Sequence, residues 1–226
     1  MSITPELVQF MDELADNNNR EWFNANKKRY EKDVKEASLA FIREFAEVLP
    51  TVAPHIEAVA KVQGGSLFRI YRDTRFSKDK TPYKTNVAMH FRHTHTSKDV
   101  HGPGFYLHFG PGGATLGAGM WGPAKEALKA LRDAISADAT AWSEVWDETT
   151  ASGWDWYGDN ALKRAPKGYD PDHPAIETLK RKSFAITRPI DLDDVYKAGF
   201  AERLADYYAE TSPLMAFECE AIGVPY

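Results

Sequence analysis

Residues 105–121 read Phe-Tyr-Leu-His-Phe-Gly-Pro-Gly-Gly-Ala-Thr-Leu-Gly-Ala-Gly-Met-Trp. Two strand-like runs, 105–109 and 114–121, flank Pro111-Gly112-Gly113, and the stretch predicts a hairpin whose turn is made by the glycines. Gly117 and Gly119 lie inside the second run, where glycine signals a bulge or a close backbone approach. The same glycines do not make a phosphate loop: neither G-x-G-x-x-G opening a helix nor the Gly-Lys-Ser/Thr ending is present. Upstream, residues 86–91 alternate Val87, Met89 and Phe91 against Asn86, Ala88 and His90, the period of a half-buried strand. Residues 56–62 and 67–71, separated by Gly64-Gly65, predict two more strands and a turn, and residues 183–187 a later one. The sum is an antiparallel or mixed sheet of roughly four to six strands.

Helical pattern surrounds this sheet. Residues 4–15 have Thr4 as cap, Pro5 at the first helical position, and Leu7, Val8, Phe10, Met11 and Leu14 on one face. A second helix is predicted from Arg20, capped by Asn19, to about residue 49, where Pro50 and Pro54 end it. Helices follow over 124–135 and 139–149, then a long irregular connection over 153–172, a short helix over 173–180, and helices over 191–196 and 200–209. The expected class is α+β: a single compact domain over 1–226, with a central, mostly antiparallel sheet flanked by N-terminal and C-terminal helices. Residues 1–50 are its helical part, 55–121 its sheet-forming part, and 123–226 hold helices, the long connection, a strand and the C-terminal helices.

The chain has 226 residues, a hydrophobic fraction of 43% and a charged fraction of 27%, which suits a folded domain and excludes intrinsic disorder. Its single cysteine, Cys219, excludes an internal disulfide and a four-cysteine zinc site and favours a reducing compartment. No apolar run approaches the ~18 residues that span a bilayer. The opening Met1-Ser2-Ile3-Thr4-Pro5-Glu6 lacks the basic and apolar regions of a signal peptide. The expectation is therefore a soluble cytoplasmic protein without a membrane partner, its oligomeric state left open.

Charge is unevenly spread. The net charge is -5, yet residues 61–84 carry Lys61, Arg69, Arg72, Arg75, Lys78, Lys80 and Lys84 against only Asp73 and Asp79, a net of +5. Residues 163–188 carry a net of +4, while residues 1–60 carry -4 and residues 189–226 carry -6. Basic blocks inside an acidic chain create a local field that favours an anionic partner.

Residues 68–85, Phe-Arg-Ile-Tyr-Arg-Asp-Thr-Arg-Phe-Ser-Lys-Asp-Lys-Thr-Pro-Tyr-Lys-Thr, resemble the signature of a bacterial and fungal family, domain of unknown function 2461. The segments at 17–23 (NNNREWF), 105–120 (FYLHFGPGGATLGAGM), 162–174 (LKRAPKGYDPDHP) and 182–189 (KSFAITRP) agree in order, so the resemblance spans nearly the whole chain. It implies a compact α+β domain and carries over no catalytic residue.

Chemistry is read from the residues. A strand over 67–72 would turn Phe68, Ile70 and Arg72 one way, Phe68 and Ile70 toward the core, and Arg69 and Tyr71 the other. The following loop carries Arg75, Lys78, Lys80 and Lys84, donors that suit phosphate or carboxylate. Asp73 and Asp79 orient the arginines or serve as bases, and Tyr83 or Tyr71 shapes the pocket. Lys182 and Arg188 join if their strand pairs near residues 67–71. The candidate ligand set is thus Arg69, Arg72, Asp73, Arg75, Lys78, Asp79, Lys80, Tyr83, Lys84, Lys182 and Arg188, with a small anionic ligand as partner and no cofactor.

Two alternatives stand beside it. Nucleic acid would bind through both basic blocks with a Trp or Tyr stacking on bases, although the pI of about 5.8 opposes an extended basic surface. In a structural or protein-interaction module, the aspartates would pair with the arginines and pin the loop. His90, His93, His95, His101 and His108 form a sequence cluster with no carboxylate or thiol at ligand spacing, which reads as surface histidine rather than a metal site. Trp142 and Trp146, four apart, read as core. Trp154, Trp156 and Tyr157 read as core or pocket lining.

Overall fold

The pleat of the central hairpin organises the molecule. The computed structural model describes residues 3–226; Met1 and Ser2, part of the expected domain span, lie outside the described residues. Strands β1 (Ile56–Glu57), β2 (Val87–His93), β3 (Gly104–Gly110), β4 (Gly113–Met120), β5 (Asp155–Trp156) and β6 (Phe184–Ile190) form one sheet in the order β1-β2-β3-β4-β6-β5. Every pairing is antiparallel. Gly110 pairs with Gly113 across Pro111-Gly112; neither of those two takes a positive φ, and the positive φ of +102° falls on Gly113, just after the turn.

From that turn the register assigns every side chain to a face. Phe105, Leu107 and Phe109 pair with Phe91, Met89 and Val87 on one side and with Ala118, Leu116 and Ala114 on the other, and all nine are buried. Helices fill this face. α1 (Pro5–Asp16) buries Leu7, Val8, Phe10, Met11 and Leu14, the predicted stripe. α2 (Arg20–Ala25) begins at Asn19, whose side chain accepts from the Trp22 N–H at 2.9 Å. The expected long second helix is broken: Asn26 at φ -103°, ψ 10° interrupts it. α3 (Lys27–Arg29) and a π-helical stretch, Tyr30–Glu36, then lead into α4 (Ala37–Val48).

α5 (Lys125–Ala137), α6 (Ala139–Ala151), α7 (Ile176–Leu179), α8 (Leu192–Tyr196) and α9 (Phe200–Ala209) match expectation within a few residues, and α10 (Ser212–Ala221) was not foreseen. On α9, Tyr208 stacks on Phe105 with centroids 4.2 Å apart, and its hydroxyl donates to the Tyr106 carbonyl at 2.8 Å. Phe45 of α4 meets Phe91 at 4.8 Å. These helices and the sheet make one α+β domain.

Two strand expectations are corrected. Residues 56–62 hold only the two-residue β1, and residues 67–71 form no strand: Leu67 bridges Met89 of β2, while Tyr71 bridges Tyr83 of the returning segment outside the sheet. Alternation fails there. Leu67 and Ile70 are buried, Phe68 is 37% exposed and Tyr71 51% exposed, so Phe68 faces out, not into the core. Conversely, the connection over 153–172 contains β5, which the aromatic-rich composition masked.

α10 lies close against β4 because Ala118 and Gly119 present almost no side chain there. Gly119 has φ +98°, and a Cβ on it would lie 2.3 Å from the Phe184 carbonyl oxygen and 3.1 Å from a Glu218 carboxyl oxygen. Glu218 is fully buried, neither carboxyl oxygen has a hydrogen-bond partner, and burial pushes its pKa well above the usual carboxylate range. A carboxyl raised in the folded state keeps its proton after the unfolded chain has lost it, so stability falls as pH rises above the unfolded value near 4.5. One such proton costs about 1.4 kcal/mol per pH unit over that window. Glu218→Met, which fills the space without a polar group, is expected to melt higher than the natural chain. The gap should widen from pH 5 to pH 8 in thermal melts; a gap independent of pH would assign Glu218 a charged, solvated state instead.

Candidate functional site

The face of the sheet opposite the helices has a different composition. Register places His90 beside Tyr106, His108 beside Thr115, and Thr187 beside Gly117, all on that face, and the five polar side chains are half-buried. None of the five makes a side-chain hydrogen bond within the described residues. Gly104 gives His90 its room, since a Cβ there would sit 2.9 Å from the His90 Nε2. Burial, with Arg92 and His101 nearby, pushes the His90 pKa down to about 4, burial alone lowers that of His108, and burial raises that of the Tyr106 phenol. At neutral pH His90 is an uncharged imidazole able to donate one hydrogen bond and accept another.

The basic segment borders this face. Phe68 stacks over His90 with centroids 6.3 Å apart and meets Tyr106 edge-on at 6.3 Å, while the Lys84 Nζ stands 4.7 Å above the Phe68 ring. Burial, and then the charge of Arg69, lowers the Lys84 pKa. Neither Arg69 nor Lys84 has a carboxylate in an ion pair.

The loop beyond them is tied to itself. Asp73 takes the Arg75 guanidinium, at 2.6 Å from Nη2 and 3.0 Å from Nε, and these bonds hold its carboxyl at about 2. Arg72 pairs with Asp79 and the Thr81 hydroxyl, and the Asp79 carboxyl also accepts the Thr81 N–H at 2.9 Å; Arg72 first, then Thr81, bring it to about 2. Lys80 donates to the Thr74 carbonyl at 2.8 Å, whereas exposed Lys78 reaches no carboxylate. Pro82 directs the chain back, and Tyr83 is anchored rather than pocket-lining. Asn18 clamps the Tyr83 backbone through its N–H (3.1 Å) and carbonyl (3.0 Å), and Phe23 stacks on its ring at 4.1 Å. Phe76, 95% exposed, stands at the loop tip.

The eleven sequence candidates therefore divide into three groups. Lys84 lies over Phe68 at the border of the polar sheet face, and exposed Arg69 is near enough for its charge to lower the Lys84 pKa. Arg72, Asp73, Arg75, Asp79, Lys80 and Tyr83 hold the loop in shape, with Lys78 outside. Lys182 and Arg188 are elsewhere, because β6 pairs with β4 and β5. Four inter-strand steps, roughly 19 Å, separate β6 from residues 67–71. Arg188 instead pairs with Glu210 and lies 4.8 Å over the Tyr207 ring. Lys182 is exposed beyond the start of β6.

Sequence reasoning missed Tyr106, Thr115 and Thr187, and it read His90 and His108 as surface histidines of a loose cluster. The signal was present: counting back from a two-residue turn at Pro111-Gly112 puts His108 opposite Thr115 and Tyr106 opposite Gly117 on one face. The histidine cluster itself comes apart. His93 lies on the apolar face, its Nε2–H donating to the Pro225 carbonyl at 2.6 Å and its Nδ1 accepting the His95 N–H at 3.2 Å. His101 stacks on Trp121 and donates from Nδ1 to the Trp121 carbonyl at 2.7 Å. Among the described residues, no group of three or more His, Cys, Asp or Glu is arranged to hold a metal ion. Trp142 and Trp154 are core, and Trp156 stacks on Trp146 at 4.2 Å.

Two outcomes are expected. In an NMR titration the His90 ring should stay neutral down to about pH 4. Because His90, His93 and His108 are all lowered from the ordinary value of 6.5, their contribution to stability is lost as pH drops below 6.5, opposing that of Glu218 and best read in the Glu218→Met background; a His90 titrating near 6.5 would contradict its burial. Asp79→Asn should make residues 73–81 more susceptible to limited proteolysis with little change in melting temperature, since the pair is exposed.

No curated protein and no solved structure matches the chain. Among the described residues, no helix is long and apolar enough to cross a membrane. The family model described as "Conserved hypothetical protein (DUF2461)" matches residues 6–217, through every element from α1 to most of α10, and the chain belongs to that family.

Proposed function

We propose that the chain binds a small anionic ligand, phosphorylated or carboxylated, where Arg69 and Lys84 border the polar face of the sheet. The observation that carries this reading is Lys84, partly desolvated over the Phe68 ring and near enough to Arg69 to feel its charge, with neither cation in an ion pair among the described residues. Like charges held together at a half-buried place are unfavourable, and an anion seated between them reverses the sign of that interaction. Arg69 offers a forked donor and Lys84 a point charge, a combination that suits phosphate or carboxylate oxygens. The Arg72–Asp79 and Arg75–Asp73 pairs support a structural part for those four residues, which orient the segment rather than hold the ligand. The reading needs no cofactor, and the buried free thiol of Cys219 supports a reducing, cytoplasmic setting as part of the proposal.

Nucleic-acid binding is the weaker reading, because the second basic block contributes Lys182 and Arg188 several strands away and Arg188 is already paired. Thermal shift with inorganic phosphate and sulfate tests the proposal. At one hundred times its dissociation constant a ligand adds ~2.7 kcal/mol, a rise of about 5–10 °C for a domain of this size. The rise should vanish in Arg69→Ala/Lys84→Ala. A rise that persists in the double variant, or none with any anion, overturns the proposal. Oligonucleotide binding that weakens steeply with salt would favour the nucleic-acid reading.

A further inference from the structure

Lys84 is held differently from the lysines that have polar partners. Lys32, Lys35, Lys129, Lys180 and Lys197 reach carboxylates and Lys80 donates to a carbonyl, whereas Lys84 makes no side-chain hydrogen bond and no ion pair among the described residues. What its Nζ meets is the Phe68 ring, 4.7 Å from the centroid. Backbone pairing fixes that placement. The Lys84 N–H donates to the Ile70 carbonyl at 2.8 Å and the Phe68 N–H to the Ala88 carbonyl at 2.9 Å, so residues 68–70 run beside residues 84–88. Arg69 is the chain neighbour of the ring on which the ammonium rests, and it is exposed. Lys84 itself is half-buried, yet its Nζ is not sealed from solvent.

These are the conditions that make a lysine a nucleophile. An ammonium reacts only after losing a proton. Burial and a neighbouring cation both disfavour the charged form, and both act on Lys84, burial first and then Arg69. At pH 7 an ordinary lysine is free amine in roughly 0.04% of molecules, and that fraction rises tenfold for each pH unit by which its pKa falls. The natural partner of a free amine is a carbonyl carbon. Arg69 adds a second requirement, an anionic group on the same small molecule, because its forked guanidinium orients carboxylate or phosphate oxygens. We infer that Lys84 condenses with the aldehyde or ketone of a small anionic carbonyl compound, a 2-oxo acid or a phosphorylated aldehyde, whose charge Arg69 holds. This inference rests on the anion reading above and adds the covalent step. In that step the Lys84 ammonium gives one proton to solvent, the nitrogen lone pair forms the N–C bond, and the C=O π pair moves to oxygen. The carbinolamine oxygen, protonated from solvent, then leaves as water as the C=N bond forms. Nothing is oxidised or reduced. The iminium keeps the charge of the ammonium, so the Phe68 face and the bound anion meet the same charge before and after.

Borohydride trapping on the natural chain tests this. Borohydride reduces an imine to a secondary amine that stays on the lysine and is located by peptide mass spectrometry. The probes are glyoxylate and glyceraldehyde 3-phosphate, with acetaldehyde as the uncharged aldehyde, all at pH 7. At least one anionic probe is expected to mark Lys84 about tenfold faster than exposed Lys78, the gain from a pKa one pH unit lower. Inorganic phosphate should slow that marking. Lys84→Arg should lose the mark yet still melt higher with phosphate, which certifies that it is folded. Arg69→Gln should lower the ratio of glyoxylate to acetaldehyde marking at Lys84 about tenfold, the loss of one charge-assisted contact. If phosphate raises the melting temperature but Lys84 is marked no faster than Lys78, the imine falls and the anion reading stands. If acetaldehyde marks Lys84 as fast as both anionic probes, the anionic carbonyl class falls. If there is neither stabilisation by phosphate nor selective marking, both readings fall.

Discussion

A pleated strand cannot choose its two faces independently, and in β2, β3 and β4 that constraint governs the rest of the molecule. Phe105, Leu107 and Phe109 are fully buried against helices, with Tyr208 stacked on Phe105 and hydrogen-bonded to the strand. Truncating a buried Phe of this kind costs roughly 3–5 kcal/mol, so the register is strongly held. Once it is, Tyr106 and His108 have one direction left. A one-residue slip would bury two imidazoles and a phenol under helices and turn the phenylalanines to solvent. The polar face is thus a consequence of the core.

The same economy of side chains on β4 admits α10. A larger residue at Gly119 would strike the Phe184 carbonyl, and the space it leaves is the one toward which the Glu218 carboxyl extends. The fold therefore accepts an unpaired carboxyl at its centre, neutral by burial, where an apolar side chain would be more stable. Nothing else in the structure explains that residue.

The fold was largely legible because its decisive elements have clean periods: the alternation around 86–91 and 105–121, the helical stripe of α1, the Asn19 cap. Misreadings fell where local pattern and tertiary contact diverge. Apolar residues at 67–71 imitate a strand, yet the segment bridges the sheet only at Leu67, so Leu67 and Ile70 turn inward and Phe68 outward. Residues 20–48 have continuous helical pattern, yet Asn26 and the π-helical stretch break it. The basic block was visible as charge, but charge counting cannot say which cation has a partner. Only the fold shows Arg72 and Arg75 paired with aspartates and Arg69 and Lys84 in no ion pair among the described residues.

That division gives the loop its physical meaning. Ordering an eleven-residue excursion between residues 72 and 82 costs chain entropy, which Asp73, Asp79, Thr81 and Asn18 offset through bonds made within the folded chain. A loop held for its own sake would end with its charges matched. This one ends with Lys84 partly desolvated over Phe68 and influenced by Arg69, an arrangement that lowers the lysine pKa and gives the ammonium an aromatic face but no ion pair. The internal pairs fix the segment in place; the unmatched pair, set against a row of hydroxyl and imidazole groups that bond to nothing in the chain, is where an external anion has something to offset. For the proposed anion, preorganisation of that kind would lower the entropy still to be lost on binding.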